Sequence, residues 1–181
     1  MPTKVFLALS VLLLPVTAQA TELYAGFGVG SGIDATTQRS GADDPDETGD
    51  PWKLLLGVGV GRYFAVEGAY YDLGGLICCE NLADGGFDSK MDGFSVAVAG
   101  RLPLGRVTLF GKLGILAWQE DGTAITIAGP VDFSEDGTDL LTGAGLDVRL
   151  ARGFELRGEW EHYEIDDQSA DGVWGAILYR F

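Results

Sequence analysis

The chain has 181 residues, 28 of them glycine, and a formal net charge of −15. Such acidity argues against nucleic acid as a partner, because a basic face supplies most of that binding energy. A single histidine, His162, and the absence of CxxC spacing leave a transition-metal site without ligands, and no cofactor is expected.

The chain opens with Lys4, an apolar run over 5–16 and the small-x-small pattern Ala18-Gln19-Ala20, which together predict a cleaved secretory signal peptide over residues 1–20. Residues 21–181 then form one domain, and loss of Lys4 takes the net charge to −16. No later stretch approaches the roughly 18 consecutive apolar residues of a transmembrane helix, so a membrane crossing has to be made of strands.

Alternating segments follow one another along the rest of the chain. In the first, Leu23, Ala25, Phe27 and Val29 oppose Glu22, Tyr24, Gly26 and Gly28. In the second, Trp52, Leu54, Leu56, Val58 and Val60 oppose Lys53, Leu55, Gly57 and Gly59, and a turn at 61–63 leads to a third with Val66, Gly68 and Tyr70 against Ala65, Glu67, Ala69 and Tyr71. The fourth sets Phe94, Val96 and Val98 against Ser95, Ala97 and Ala99, turning at 103–105. The fifth runs from Val107 to Trp118 with Lys112 on the polar face, and the sixth covers 143–150 with Asp147 and Arg149 on that face. After a turn at 151–153 the seventh places Phe154, Leu156 and Trp160 against Glu155, Arg157, Glu159 and Glu161, and the eighth runs from Gly172 to Phe181.

Eight segments joined alternately by short turns and long loops predict an all-β, eight-stranded antiparallel up-and-down barrel. A charge facing lipid at mid-depth costs about 2–4 kcal/mol. The face carrying Glu67, Lys112, Asp147, Arg149, Glu155, Arg157, Glu159 and Glu161 must therefore point inward, with the apolar column outward. An outward apolar band belongs in a bilayer, where a closed barrel leaves no unpaired backbone. Trp52, Tyr70, Trp118 and Trp160 near the long loops, and Phe64, Phe154, Tyr179 and Phe181 near the short turns, are expected to form two interfacial girdles.

Three stretches carry a family likeness: residues 57–71 (GVGVGRYFAVEGAYY), Phe110-Gly111-Lys112-Leu113-Gly114, and the closing Leu178-Tyr179-Arg180-Phe181. On these the chain resembles the OmpA-like small eight-stranded outer-membrane β-barrels of Gram-negative bacteria. The resemblance implies insertion by the barrel-assembly machinery, with Tyr179 and Phe181 as its signal, short turns in the periplasm and long loops outside the cell. The chain stops at Phe181, so the peptidoglycan-binding domain of two-domain members is not expected.

Two sets of side chains are candidates for function. Residues 31–51, 72–92, 119–139 and 164–171 hold 21 of the 27 acidic residues against Arg39 and Lys90 alone, which suits solvated, repelling loops or loose divalent-cation and lipopolysaccharide contacts. No loop has the ordered spacing of a dedicated calcium site. Inside, Glu67, Lys112, Asp147, Arg149, Arg157 and Glu159 are expected to form an ion network that plugs the lumen, since an eight-stranded barrel is just wide enough for side chains. Cys78 and Cys79 are adjacent in an exported chain, and a structural or incidental use, unpaired or intermolecular, stays open.

Some eight-stranded barrels modify lipid A, and the deacylases among them place a serine two residues after a histidine. Here His162 is followed by Tyr163 and Glu164, so no enzyme is expected. The sequence points to a monomeric structural or surface-exposed barrel amid outer-membrane lipid and lipopolysaccharide. A lipid A-modifying enzyme and a narrow pore are the alternatives.

Overall fold

Alternation with a period of two turns each segment into a strand with one greasy and one small or polar face, and the cost of a charge in hydrocarbon decides which face looks outward. The computed structural model describes residues 22–31, 34–35, 46–48, 50–78, 87–126, 129–165 and 168–181. Eight long strands result: β1 (Leu23–Gly30), β2 (Trp52–Val60), β3 (Phe64–Cys78), β4 (Phe87–Leu104), β5 (Val107–Thr126), β6 (Gly129–Arg149), β7 (Phe154–Ile165) and β8 (Gln168–Arg180). Each is antiparallel to its neighbours in chain order, and β8 returns to β1 in a register running from Tyr24↔Arg180 to Gly30↔Trp174. The ring is therefore closed, and every barrel strand has a partner on both sides over the span that crosses the bilayer. Two short segments, Asp34–Ala35 and Asp46–Thr48, pair with β8 and β3.

The outward face is the apolar one. Leu56, Phe94, Leu113, Val173 and Ile177 are more than half exposed, while Tyr24, Leu55, Ala65, Ala97, Leu116 and Leu178 are buried inside. Around one end of the band an aromatic ladder crosses four strands, with ring centroids 6.2 Å apart for Phe27 and Trp52, 5.6 Å for Trp52 and Tyr70, and 5.0 Å for Tyr70 and Phe94. At the short-turn end Tyr179 lies 5.1 Å from Phe154 and 5.0 Å from Phe181. Trp118 is not part of a girdle: it is buried within the barrel and donates from Nε1 to Asp139 Oδ2 at 2.6 Å. Its even-numbered position on β5 puts it on the Lys112 side, and alternation overrides the tendency of tryptophan to sit at an interface.

The strands are longer than hydropathy suggests. The stretch 119–139, expected as a loop, is mostly hairpin: β5 and β6 stay paired from Val107↔Val148 out to Thr126↔Gly129, where Gly129 has φ 120°. β3 and β4 likewise continue past the ladder, with a bulge between Asp72 and Gly75 where Gly74 N donates to Asp72 Oδ1 at 3.1 Å. Beyond the bilayer both faces of a strand are wet, so the alternation that marks a strand in sequence disappears while the backbone ladder persists. Cys78 ends β3; Cys79, the predicted leader 1–20 and most of the loop stretches 32–49 and 79–86 lie outside the described residues.

At the opposite end the turns are tight. Arg152 and Gly153 both take positive φ, 55° and 87°, in the three-residue connection 151–153, which is closed by Leu150 N donating to Phe154 O at 2.9 Å and Phe154 N to Ala151 O at 3.1 Å.

Candidate functional site in the barrel lumen

Inward positions on β1 to β8 converge on a lumen packed with buried charge. Small residues make room for large ones: a Cβ at Gly57 would lie 2.0 Å from the Tyr24 ring, so only glycine leaves that ring its place.

The group nearer the long loops is built on two lysines facing two glutamates. Lys53 Nζ, from β2, lies 2.9 Å from Glu161 Oε1 and also bonds Glu159; Lys112 Nζ, from β5, lies 2.9 Å from Glu159 Oε2 and also bonds Glu161. Tyr71 donates to Glu161 Oε1 at 3.1 Å, Tyr163 donates to Glu161 Oε2, and Trp174 Nε1 donates to the Tyr163 hydroxyl at 3.0 Å. Lys53 Nζ also stands 4.6 Å from the centroid of the Trp174 ring. Glu161 is fully buried and accepts from four side chains. An ionised carboxylate out of water costs several kcal/mol, and only such saturation with donors and cations offsets it.

Nearer the short turns, Arg157 bridges two carboxylates. Its Nε and Nη2 donate to Asp147 at 2.7 and 3.1 Å, and Nη1 reaches both oxygens of Glu67 at 2.9 and 3.0 Å. Tyr24 donates a further hydrogen bond to Glu67. The guanidinium lies 4.3 Å from the centroid of the Phe110 ring, a cation–π contact in a desolvated place.

At the short-turn mouth Arg180 binds Glu155 at 2.6 Å and also Glu22, while Arg101 Nη1 is 3.7 Å from Glu22. Arg149, expected inside the network, sits here instead: its side chain is about half exposed, with Nε 3.3 Å from Glu155. It occupies the last position of β6, where the inward face of the strand already opens to water. Counted over the described residues, the ion pairs from mouth to centre join six cationic side chains to six carboxylates.

The structure thus brings Glu67, Asp147 and Arg157 together as one group and Lys112 and Glu159 as part of another, and leaves Arg149 with neither. Lys53, Glu161, Tyr71 and Tyr163 complete the second group. Glu161 lies on the face that alternation turns inward, but alternation alone does not place it in the network. Lys53 is legible too, as the lone charge in an otherwise apolar and glycine-rich segment, on its inward parity. The tyrosines give no such signal, since a tyrosine on an inward face suits ordinary packing equally well.

Outside the barrel, His162 Nδ1 is 2.8 Å from Asp171 Oδ1 and the ring stacks on Trp160, with centroids 5.9 Å apart. Among the described residues no serine or threonine hydroxyl bonds this histidine.

A closed eight-stranded ring with an apolar exterior, two aromatic girdles and a charged, paired interior defines a transmembrane β-barrel of the outer-membrane type. The outer membrane protein beta-barrel domain matches residues 6–181, and the chain belongs to that family. It is an outer-membrane protein. It is similar in fold to the crystal structure of Ail, the attachment invasion locus protein of Yersinia pestis, at 17% identity and a TM-score of 0.57, covering 89% of this chain and 97% of that one. It is similar also to Neisserial surface protein A, at 10% identity and a TM-score of 0.55, with 89% and 96% covered. A major outer membrane protein from Thermus thermophilus shares 10% identity at a TM-score of 0.59, with 90% and 100% covered. No curated protein matches the chain in sequence.

Proposed function

We propose that the protein is a non-conducting, non-enzymatic scaffold barrel whose lumen is plugged by its own salt bridges and whose recognition work falls to the acidic sheet outside the cell. The observation that carries the plug is the crossing of the lumen by Lys53 and Lys112, each shared between Glu159 and Glu161 and all four nearly water-free. A passing ion would have to break pairs whose separation in a low dielectric costs several kcal/mol. Planar-bilayer recording of the purified protein tests this: brief or absent openings are expected, and stable large steps at modest voltage would overturn it.

The acidic sheet is supported by the continuation of β3 to β6 beyond the aromatic ladder. Directly above Tyr70 and Phe94, Asp72 faces Asp92 across the β3–β4 ladder, and Asp121, itself opposite Lys90, lies diagonally beyond it. Like charges so placed attract divalent cations, and through them the phosphates of lipopolysaccharide. Calcium titration of the folded protein should raise its thermal stability in the micromolar to millimolar range; no shift up to several millimolar would remove the cation part of the reading. For the closing strand, Tyr179 and Phe181 serve as the assembly signal, supported by their outward, exposed places beside Phe154.

A further inference from the structure

The lipid-facing surface is not smooth. β3 pairs with β4 as far as Phe64↔Gly100, Arg101 N still donates to Tyr63 O at 2.7 Å, and Leu102–Leu104 of β4 then runs on with β5 alone. The turn at 61–63 therefore ends above a step, and the step opens into a groove of about 400 Å³ walled by Tyr63, Phe64, Leu102 and Leu109. Its floor is the cross-strand pair Gly100↔Gly111, two outward positions where the same column carries valine and leucine on either side. A Cβ built at Gly100 or Gly111 would approach nothing closer than 3.8 Å, so neither glycine is demanded by packing within the barrel.

Two cations neighbour this shallow groove in the chain. Arg62 lies over the ring of the wall residue Tyr63, 5.6 Å from its centroid, and Arg106 is exposed in the turn that joins the strands of Leu102 and Leu109. The side-chain carboxylates at this mouth, Glu22 and Glu155, are taken by Arg101, Arg149 and Arg180, and neither Arg62 nor Arg106 pairs with a carboxylate among the described residues. An apolar groove continuous with the bilayer band, at the end of the barrel where two guanidiniums pair with no carboxylate among the described residues, matches a molecule with an acyl chain and a phosphate.

We propose that this groove binds one anionic glycerophospholipid of the periplasmic leaflet, an acyl chain lying over Gly100 and Gly111 and the phosphate held by Arg62 and Arg106. The acid is concentrated at the other end of the barrel, so the site selects the leaflet as well as the lipid. The arginines act at the headgroup level and the glycines below it, which lets the two parts be tested apart.

Native mass spectrometry of the full mature barrel released from neutral detergent, with dioleoylphosphatidylglycerol and dioleoylphosphatidylcholine as probes, reads the site directly. The wild type should retain one phosphatidylglycerol in preference to phosphatidylcholine. Arg62→Gln and Arg106→Gln should each lower that preference about fivefold, the effect of one cation at an anionic surface. Gly111→Leu should abolish retention of the lipid while the barrel keeps its heat-resistant gel mobility, since the added side chain enters open space. Equal retention of both lipids, unchanged preference in the double arginine variant, or a two-barrel species in place of the lipid adduct would overturn the proposal.

Discussion

Glu161, inside the barrel, accepts from two lysines and two tyrosines, whereas Asp92, on the sheet above the bilayer, faces Asp72 across the ladder with Asp121 diagonal to it. The two carboxylates sit on β7 and β4 of one continuous β-sheet, yet one is saturated with donors while the other has two carboxylates beside it and Lys90 two residues along its own strand. Water explains the contrast. In the lumen there is too little of it to solvate a charge, so each must find a partner. On the outer sheet solvent and salt screen the repulsion, and like charges can be tolerated at small cost.

Breaking the lumen should therefore do the most damage. Lys112→Met leaves two glutamates to one lysine and should destabilise the barrel by about 3–5 kcal/mol, measured by urea unfolding in detergent micelles. A loss under about 1 kcal/mol would mean that water enters the lumen freely enough to solvate the orphaned charge. Placing a charge on the outward face gives the next largest effect. Leu113, adjacent to Lys112 but facing lipid, should cost about 2–4 kcal/mol as Leu113→Arg in a bilayer, and far less in a polar detergent belt. If both environments gave the same loss, Leu113 would not face hydrocarbon.

Steric change inside the barrel comes third. Gly57→Val drives a side chain into the Tyr24 ring and should cost about 1–3 kcal/mol, with recovery when combined with Tyr24→Ala. Additive losses in the double variant would show that the ring is not what the glycine accommodates.

The smallest effect belongs to the outer sheet. Burial first, then the Asp121 and Asp72 carboxylates, push the Asp92 carboxyl above its usual range. Its folded pKa exceeds its unfolded one, so the ionised group opposes folding: the penalty is absent below the ordinary carboxylate range and complete once pH has risen past the folded value. Asp92→Asn should accordingly raise stability slightly at neutral pH and leave it unchanged in strong acid. Thermal melts at the two pH values check the sign, and a variant less stable at neutral pH would contradict it.

Most of the barrel is legible in the chain. Phe94-Ser95-Val96-Ala97-Val98-Ala99 alternates so cleanly that strand, faces and register parity follow from residue type alone. The outer halves of β5 and β6 are not legible, because Asp121-Gly122-Thr123 and Ser134-Glu135-Asp136 alternate in nothing that hydropathy records. Trp118 shows the limit of residue preference: its parity is readable, and parity prevails over the interfacial habit of its ring. Arg149 shows the limit of parity, which gives the side but not the depth at which the lumen gives way to solvent.

By itself, then, the sequence determined that the chain forms strands, that their apolar sides face outward and that a set of charges is enclosed, since a period of two and the cost of a charge in hydrocarbon are properties of residues in order. Which charges meet was decided only by the closed ring. Lys53 and Glu161 are 108 residues apart on strands that are not neighbours, and they touch because the pairing of β8 with β1 and the stagger of every ladder between bring them to one depth. Depth in a barrel accumulates from all the registers together, and no local stretch of sequence contains it.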